Sequence, residues 1–280
     1  MKKISGAGII ACMLFASGAQ AAITDVDGQA GGGLVPWALL SSGPTVAISH
    51  LNTQNLDVNI VAANTSFANR VEVSYAHSML DVTGSALGNN NIDAVDNFGL
   101  KVKLNDMGDS MPQFALGMVY KKASGNLVDN VLTPALGVDS SSTDVYGAAS
   151  KIVNVGGKNV LLNGVLRASK ANQMGLLGFG GGSTAGAKTG YSIEPEVSVE
   201  MFAADNVVFG AEYRAQPNNS VTGTNGVLHQ NSAYDLNVVY VANKNLTLTA
   251  AYASLGAVAP GVVGNSNNQN GMFLQAQVSF

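Results

Sequence analysis

The 280-residue sequence predicts an all-β protein, a single antiparallel transmembrane β-barrel of about twelve strands with short periplasmic turns and long extracellular loops. Three observations predict this fold. Apolar and polar side chains alternate with a period of two along a series of short segments. Short and long connections alternate between those segments. The sequence also ends on a strand-like segment, GMFLQAQVSF, whose apolar residues share one face.

Residues 1–21 have the pattern of a secretory signal peptide. Two lysines precede an apolar run from Ile9 to Ala16, and Ala19-Gln20-Ala21 forms a small-x-small cleavage site. The apolar run is too short to span a bilayer. We therefore expect transport through the inner membrane and cleavage after Ala21, which would leave residues 22–280 as the mature chain.

The composition of this mature chain excludes several classes of protein. The only cysteine, Cys12, lies in the signal peptide, so disulfides and cysteine metal sites are excluded. Removing Lys2 and Lys3 from the 14 basic residues leaves 12, against 18 acidic residues, for a net charge of −6. Nucleic acid is therefore not an expected partner, because it requires a basic surface.

Residues 22–43 do not follow the strand pattern. Gly31-Gly32-Gly33 predicts a flexible joint, and the run LVPWALL that follows it is apolar. Pro36 disfavours a strand in that run except at the edge of a sheet. We expect this segment to act as a plug at the periplasmic mouth or to lie along the inner rim, with Trp37 as a packing or interfacial anchor.

Residues 44–280 carry the period-two pattern of the barrel. Clusters of Asn, Gly, Asp and Ser separate the strands, as turns require. The predicted strands are 44–53, 56–63, 70–79, 97–104, 113–122, 143–153, 159–170, 190–202, 206–215, 233–242, 246–255 and 271–280.

The connections sort by length in a way that is typical of outer-membrane barrels. NTSFAN, NDMGDSMP, NVGGK, AADN and ANKN are short. The long connections are 80–96, 123–142, 171–189, 216–232 and 256–270. Such barrels have short periplasmic turns and long extracellular loops, and an even number of strands puts both termini on the periplasmic side. The first hairpin, at 53–55, is the one short connection where the pattern allows a long one.

The two faces of the predicted strands differ in charge. One face is apolar, as in Phe98-Leu100-Val102, while the other collects nearly all the charged residues. In a membrane barrel the apolar face meets lipid and the polar face lines the lumen. The predicted lumen lining consists of Glu72, Lys101, Lys103, Arg167, Glu194, Glu196, Glu200, Glu212, Arg214 and Asp235.

These lumen charges have two interpretations. They either pair with each other and fill a narrow barrel, or line a pore and select the solutes that pass. Barrels of about eight strands are filled by side chains and those of about sixteen leave a channel, so twelve leaves both open. The apolar loop stretch 174–179 is expected to fold inward as a constriction, because apolar residues at an exposed loop tip need cover.

The three histidines do not indicate a metal site or a catalytic centre. His50, His77 and His229 are not at metal-ligand spacing, so we expect no metal and no cofactor. By strand parity, His50 and His77 face lipid near the outer rim, where a surface phospholipase would place its histidine beside a serine. The sequence contains no G-x-S-x-G element, and we expect no enzyme.

The terminal strand places Leu274, Ala276, Val278 and Phe280 on the lipid face. Phe280 would then join the periplasmic ring of aromatic residues at the membrane interface. The segment also resembles the C-terminal signal that the outer-membrane barrel assembly machinery reads, which ends in an aromatic residue. That resemblance implies an assembly role for Phe280 and the machinery as a partner, alongside outer-membrane lipid.

Four stretches carry a wider resemblance: GQAGGGLVPWALL (28–40), LLNGVLRASKANQMGLLGFGG (161–181), PEVSVE (195–200) and GAEYRAQPNN (210–219). With the signal peptide and the terminal phenylalanine, they resemble an uncharacterised family of proteobacterial outer-membrane proteins, the domain of unknown function 3034. The resemblance implies a barrel in the outer membrane of a Gram-negative cell. It implies no activity and no functional residues.

The leading functional interpretation is porin-like, passive passage of a small solute, whose identity the sequence does not specify. The alternative is a structural or surface-interaction barrel with an occluded lumen that presents its long loops. A membrane-embedded hydrolase is a distant third.

Overall fold

The computed structural model describes residues 22–82, 92–182, 186–220 and 226–280. The predicted signal peptide lies outside the described residues. Strands are numbered in chain order, and β1 (Ile23–Thr24) and β2 (Ala30–Gly31) form a small hairpin. The barrel strands are β3 Thr45–Asn52, β4 Leu56–Phe67, β5 Val71–Val82, β6 Ile92–Lys103, β7 Gln113–Gly125, β8 Ser141–Val155, β9 Lys158–Ser169, β10 Ser192–Ala204, β11 Val207–Arg214, β12 Ala233–Val241, β13 Leu246–Ala257 and β14 Asn268–Ser279.

These twelve strands form one closed barrel, in which each strand pairs antiparallel with its neighbours in sequence. The barrel closes where β14 pairs with β3, from Met272 opposite Asn52 to Ser279 opposite Thr45. The predicted fold class and strand number are therefore confirmed. The alternation of the sequence explains the result, because residues two apart on a strand share one face and closure leaves no exposed edge.

The connections separate by length between the two ends of the barrel. Short turns, such as 156–157 and 205–206, lie at one end, which we call the short-turn end. Gly156 and Gly157 both have positive φ, +59° and +82°, as a two-residue type I′ hairpin requires. The described residues of connections 126–140, 170–191 and 215–232 lie at the other end, the long-loop end. The loop between β5 and β6 lies outside the described residues.

The N-terminal segment lies inside the barrel. We call residues 22–43 the plug; apart from three residues at 26, 42 and 43, the whole segment is buried. Contacts reach it from opposite parts of the sheet: Gln277 on β14 accepts a hydrogen bond from the backbone N–H of Thr24, and Asn163 on β9 donates to the carbonyl of Pro36. The expected position at the mouth or along the inner rim was too shallow, because the segment penetrates the lumen itself.

Part of the lumen is apolar, which differs from the uniformly polar lining that the sequence predicted. Loop residues fold inward through a π-helical turn at Val128–Leu132, α1 at Thr133–Leu136, and α2 at Pro260–Val263. They pack with inward-facing residues of the strands into one hydrophobic core. Its buried members include Leu56, Leu80, Leu132, Phe179 and Val262. Burying these side chains inside the barrel, as in a soluble protein, stabilises the inward-folded loops.

The outer face of the barrel is predominantly apolar. Large apolar side chains are exposed on most strands, among them Leu116, Leu166, Leu236 and Leu274. Such a continuous apolar surface needs cover, which lipid supplies. Within the described ranges, no helix has the length and apolar character needed to cross a bilayer.

Candidate functional site: the barrel lumen

Asp27 of the plug lies at the centre of a buried ion-pair network. Its carboxylate accepts a hydrogen bond from Lys121 Nζ at 2.6 Å and from an Arg214 guanidinium nitrogen at 2.9 Å. Arg167 lies 3.2 Å from the same carboxylate. Burial acts to raise the pKa of Asp27, but the three cations outweigh it and hold that pKa below its usual range.

Two acids on the wall complete this network. Asp144 lies 3.3 Å from Lys121, and Glu196 accepts a hydrogen bond from Arg167 Nε at 2.5 Å. We call the six residues the Asp27 network; its members are Asp27, Asp144, Glu196, Lys121, Arg167 and Arg214. Three acids face three bases, so the network is balanced in charge. Removing one partner of such a buried set leaves an uncompensated charge and is costly.

A second ion pair binds the backbone of the plug. Lys101 lies 3.0 Å from Glu72, and both side chains are fully buried. Glu72 accepts hydrogen bonds from the N–H groups of Ala30 and Ser41, and Lys101 donates to the carbonyls of Ala30 and Leu39. The plug forms little secondary structure of its own, so these wall residues satisfy backbone groups that would otherwise be buried without partners.

Three carboxylates on neighbouring strands have no base within 4 Å among the described residues. We call Glu200, Glu212 and Asp235 the acidic cluster; all three are buried. Glu212 and Asp235 are direct cross-strand neighbours, and Glu200 lies one tier away. Asp235 and Glu212 are hydrogen-bonded to each other. The other donors to the cluster are uncharged: Ser198 and the N–H of Leu34 donate to Glu212, and Asn237 donates to Asp235 and Glu200.

A cavity of about 70 Å³ lies in the lumen beside this cluster, and we call it the chamber. By the measure in which one water needs roughly 10–15 Å³, it would hold roughly five waters or a small organic molecule. Asp235 and Asn237 line one side of it. The wall formed by β3, β4, β5 and β14 is apolar apart from Ser78 and includes Leu51, Leu56, Val58, Ile60, Leu80 and Phe273.

Residues 170–182, which we call the inner loop, cover the chamber. The predicted inward fold of 174–179 is confirmed, because Leu176, Leu177 and Phe179 are buried in the lumen core. Lys121 Nζ donates to the carbonyl of Met174, which ties the loop to the Asp27 network. Gly175 has φ of +109°, and a side chain there would press on Phe179 and on Val95 of the wall.

The predicted lumen residues lie on the inner face of the wall. Lys103 pairs with Asp106 at the short-turn end at 2.5 Å, where the Lys103 ammonium lowers the pKa of Asp106. Glu194 is only partly buried and accepts a hydrogen bond from Ser192. The other eight are buried, as Glu72, Lys101, Arg167, Glu196, Glu200, Glu212, Arg214 and Asp235.

Sequence reasoning missed three members of the Asp27 network. Lys121 and Asp144 have the lumen parity of their strands, so the period-two pattern could have found them. Asp27 lies in a segment with no periodicity, and no sequence signal indicated its role.

His50 and His77 face outward, as the sequence predicted. His50 Nδ1 lies 3.0 Å from Asn59 Oδ1, and His77 Nδ1 lies 2.9 Å from Asp96 Oδ1. In the strand register, neither histidine has a serine as a direct cross-strand neighbour. Tyr75 donates to Asp96 as well. These contacts form a polar tier on the outer surface of the barrel.

Aromatic residues lie next to this tier, and a further one ends the chain. Tyr75 and Phe98 have ring centroids 5.1 Å apart, and Phe98 and Tyr120 are 6.5 Å apart. Phe280 is 77% exposed, and its N–H donates to the carbonyl of Pro44. Its assembly role stays a prediction.

A family model described as "Protein of unknown function (DUF3034)" matches residues 20–277. No protein of curated function matches the sequence. The KdgM porin in complex with disordered oligogalacturonate is similar in structure, with a TM-score of 0.50, 10% identity, and coverage of 84% of this chain and 99% of the porin.

Two further solved structures have lower TM-scores. The COG4313 outer membrane channel from Pseudomonas putida F1 has a TM-score of 0.49 at 13% identity, covering 85% of this chain and 94% of the channel. Outer membrane phospholipase A from Escherichia coli has a TM-score of 0.42 at 10% identity, covering 86% and 94%. At 10% identity the likeness to the KdgM porin shows the fold alone, that of an outer-membrane β-barrel.

Proposed function

The chain belongs to the family described as protein of unknown function (DUF3034), as its motifs predicted, and from this premise we propose that it is a restricted passage for a small solute across the outer membrane. In the resting state the plug and the inner loop close the lumen. Opening requires displacement of one or both.

The single observation that carries this proposal is the chamber between two separable segments. Gly33 and Leu34 of the plug line it, and so do Met174 and Leu176 of the inner loop. Protein interiors are close-packed, and a barrel that served only as a scaffold has no use for such a space. The plug is held by hydrogen bonds and ion pairs, which water can replace when the segment moves.

A structural or surface-interaction role is the second candidate. It is supported by the Asp27 network, which fills the lumen at the level of the plug with paired charges. In this alternative the plug never leaves, and the barrel presents its long loops to partners outside the cell.

We further propose that the barrel acts without catalysis and reaches the outer membrane through a cleaved signal peptide and the assembly machinery. The absence of a serine directly opposite His50 or His77 in the described register supports the first part. The apolar outer surface supports the membrane location.

A cross-linking experiment tests the proposed passage. Ala38 of the plug lies against β8, its N–H 2.9 Å from Ser150 Oγ. Ala38→Cys and Ser150→Cys, joined by a short bis-thiosulfonate reagent, tether the plug to the wall. The predicted mature chain has no cysteine of its own, so labelling is specific. Conductance in planar bilayers is measured before and after reduction of the tether, with each single-cysteine variant as a control.

We expect the tethered barrel to be silent and the reduced barrel to show transient openings. Deleting 174–182 should increase conductance further, because the inner loop covers the chamber. A barrel that is silent when intact, when reduced and when the loop is deleted would contradict the passage and favour the structural role.

A further inference from the structure

We infer that the chamber binds a small organic cation, an ammonium group attached to a short apolar body, with the ammonium at Asp235 and the body against the leucine-rich wall. The inference names the class of solute for the proposed passage and rests on that passage only for transport. Binding itself is argued, and tested, separately.

The first argument is the charge of the acidic cluster. Three buried carboxylates lie on three adjacent strands, and no described basic side chain lies within salt-bridge distance of any of them. Buried charges in proteins are normally paired. The Asp27 network shows that this lumen supplies partners elsewhere, since Arg214 lies two residues from Glu212 yet pairs with Asp27 and Glu196. A cation from outside the chain is the missing partner.

The second argument is independent of charge and concerns unpaired acceptors. Asn237 uses its amide nitrogen to donate to Asp235 and Glu200, which fixes the side-chain orientation and leaves Oδ1 without a partner among the described residues. Thr249 Oγ1 is also unpartnered. Asn237 and Thr249 are 4% and 5% exposed, and both line the chamber. An N–H donor beside Asp235 would also reach Asn237 Oδ1, at the next inward position of β12. Thr249 is paired with Val239, two inward positions along from Asp235, and offers a second, separate acceptor to the chamber.

The backbone is shaped to hold these carboxylates. A Cβ at position 210 would overlap the Glu200 carboxylate, and a Cβ at Gly32 of the plug would overlap that of Glu212. A side chain at either position would displace the carboxylate that now lies against the backbone. The two glycines therefore allow the carboxylates to take their present positions.

The rest of the chamber selects an apolar body. Leu51, Leu56, Val58 and Ile60 line it, and Leu80 extends the same surface. Inward-facing leucines and isoleucines are unusual in a membrane barrel, whose lumen is ordinarily polar. Burial of an alkyl chain against them would be favourable, whereas a sugar would leave its hydroxyl groups without partners there. An ammonium at one end and an alkyl chain at the other therefore match the two walls.

Calorimetric titration of the purified full barrel tests the inference. The probes are hexylammonium and 1-hexanol at pH 7.5, which have the same chain length and differ in charge. The variants are Asp235→Asn, which removes the chamber-facing charge, and Ala251→Leu, which fills the chamber from β13. Glu194→Gln is the matched control, because Glu194 faces inward on β10 but lies outside the cluster. Heat of partitioning into detergent is subtracted with protein-free micelles.

We expect saturable hexylammonium binding to the wild type and to Glu194→Gln, weakened at least tenfold in both other variants, with hexanol at least tenfold weaker than the amine. Equal binding of amine and alcohol would overturn the inference, because it would mean that the carboxylates carry no charge that the ligand meets. Absence of saturable binding to the folded wild type, or full binding to Asp235→Asn, would also overturn it. Flux of hexylammonium into liposomes is measured separately. Binding without flux would contradict only the proposed passage, and flux without binding would contradict only this inference.

Discussion

The Asp27 network and the acidic cluster lie in the same lumen but solve the burial of charge differently. In the network, Lys121, Arg167 and Arg214 surround Asp27, and every charge has a partner. In the cluster, each carboxyl group lies beside another acid and accepts hydrogen bonds from uncharged donors. The network joins the plug to the wall through ion pairs and reaches the chamber at Asp27, whereas the cluster borders the chamber at Asp235 and binds the plug only through the N–H of Leu34. Balanced charge thus fixes a segment in place, while unbalanced charge beside a cavity indicates a partner from outside the chain.

Breaking the network at its centre should give the largest effect. Asp27→Asn leaves three buried bases facing two acids, and we expect plug docking to lose about 3–5 kcal/mol, the typical cost of removing one partner of a buried ion pair. Trp37 is the only tryptophan and is buried in the plug, so its emission reports docking. Urea titration of that emission should show an earlier red shift than in the wild type. An unchanged midpoint would mean that the network does not hold the plug.

Two glutamates on β10 separate a residue of the network from one outside it. Glu196→Gln removes the carboxylate that pairs with Arg167, and we expect a loss of about 1.5–3 kcal/mol, the value of a hydrogen bond to a charged group. Glu194→Gln, two residues away, removes a part-exposed carboxylate outside both groups and should change stability by less than about 0.5 kcal/mol. The same urea titration measures both. Similar losses in the two variants would contradict the assignment of Glu196 to the network.

The plug should respond to pH through Asp25. Burial, with Asp27 alongside, raises the pKa of Asp25 from 3.8 to about 7 in the folded protein. Because the folded value is the higher one, the docked plug holds the extra proton between these two pH values. Docking should therefore weaken as pH rises from about 4 to about 7. Asp27 has the opposite sign, since its folded pKa is lowered, and weakens docking only below its unfolded value near 3.8.

Trp37 emission, recorded at fixed urea across this range, measures the effect. Asp25→Asn should flatten the response between pH 4 and pH 7 and leave the loss at lower pH intact. A variant that keeps the full slope would assign the titration to another group.

The acidic cluster should give the smallest effect on stability, with the reverse sign. Asp235→Asn removes one of two directly opposed carboxylates, and like charges in that position are destabilising by about 0.2–1 kcal/mol. We therefore expect the empty barrel to become slightly more stable. Heat-modified mobility on gels gives the melting temperature of the barrel. A clear loss of stability would mean that the hydrogen bonds of Asp235 outweigh its repulsion with Glu212, and it would contradict the view of the cluster as unbalanced charge.

The sequence predicted the strands and the direction of the wall side chains more accurately than it predicted the contents of the lumen. Parity along β10 correctly turned Glu194, Glu196 and Glu200 inward, because side-chain direction on a strand depends only on position. The sequence analysis did not predict that Leu56 and Val58 face inward. On β4 they alternate with Asp57 and Asn59, and this alternation cannot distinguish an apolar row that faces lipid from one that faces a core.

The plug was harder still to predict. Its position depends on side chains from strands distant in sequence, such as Gln113 and Gln277, which bond its backbone. Backbone groups that pair with such side chains leave no periodic trace in the sequence. Pro36 correctly argued against a strand, and Trp37 correctly indicated an anchor, yet neither residue specifies depth within a lumen.

The contact between Thr24 and Gln277 also constrains the order of folding. It joins residues 253 positions apart, and the pairing of β3 with β14 joins the same two ends of the chain. Contacts of such sequence separation form late, because the entropy of closing the loop is lost before the contact returns any stability. The wall that receives the plug is thus completed only when β14 pairs with β3. The plug therefore acquires its full binding site only after the barrel has closed.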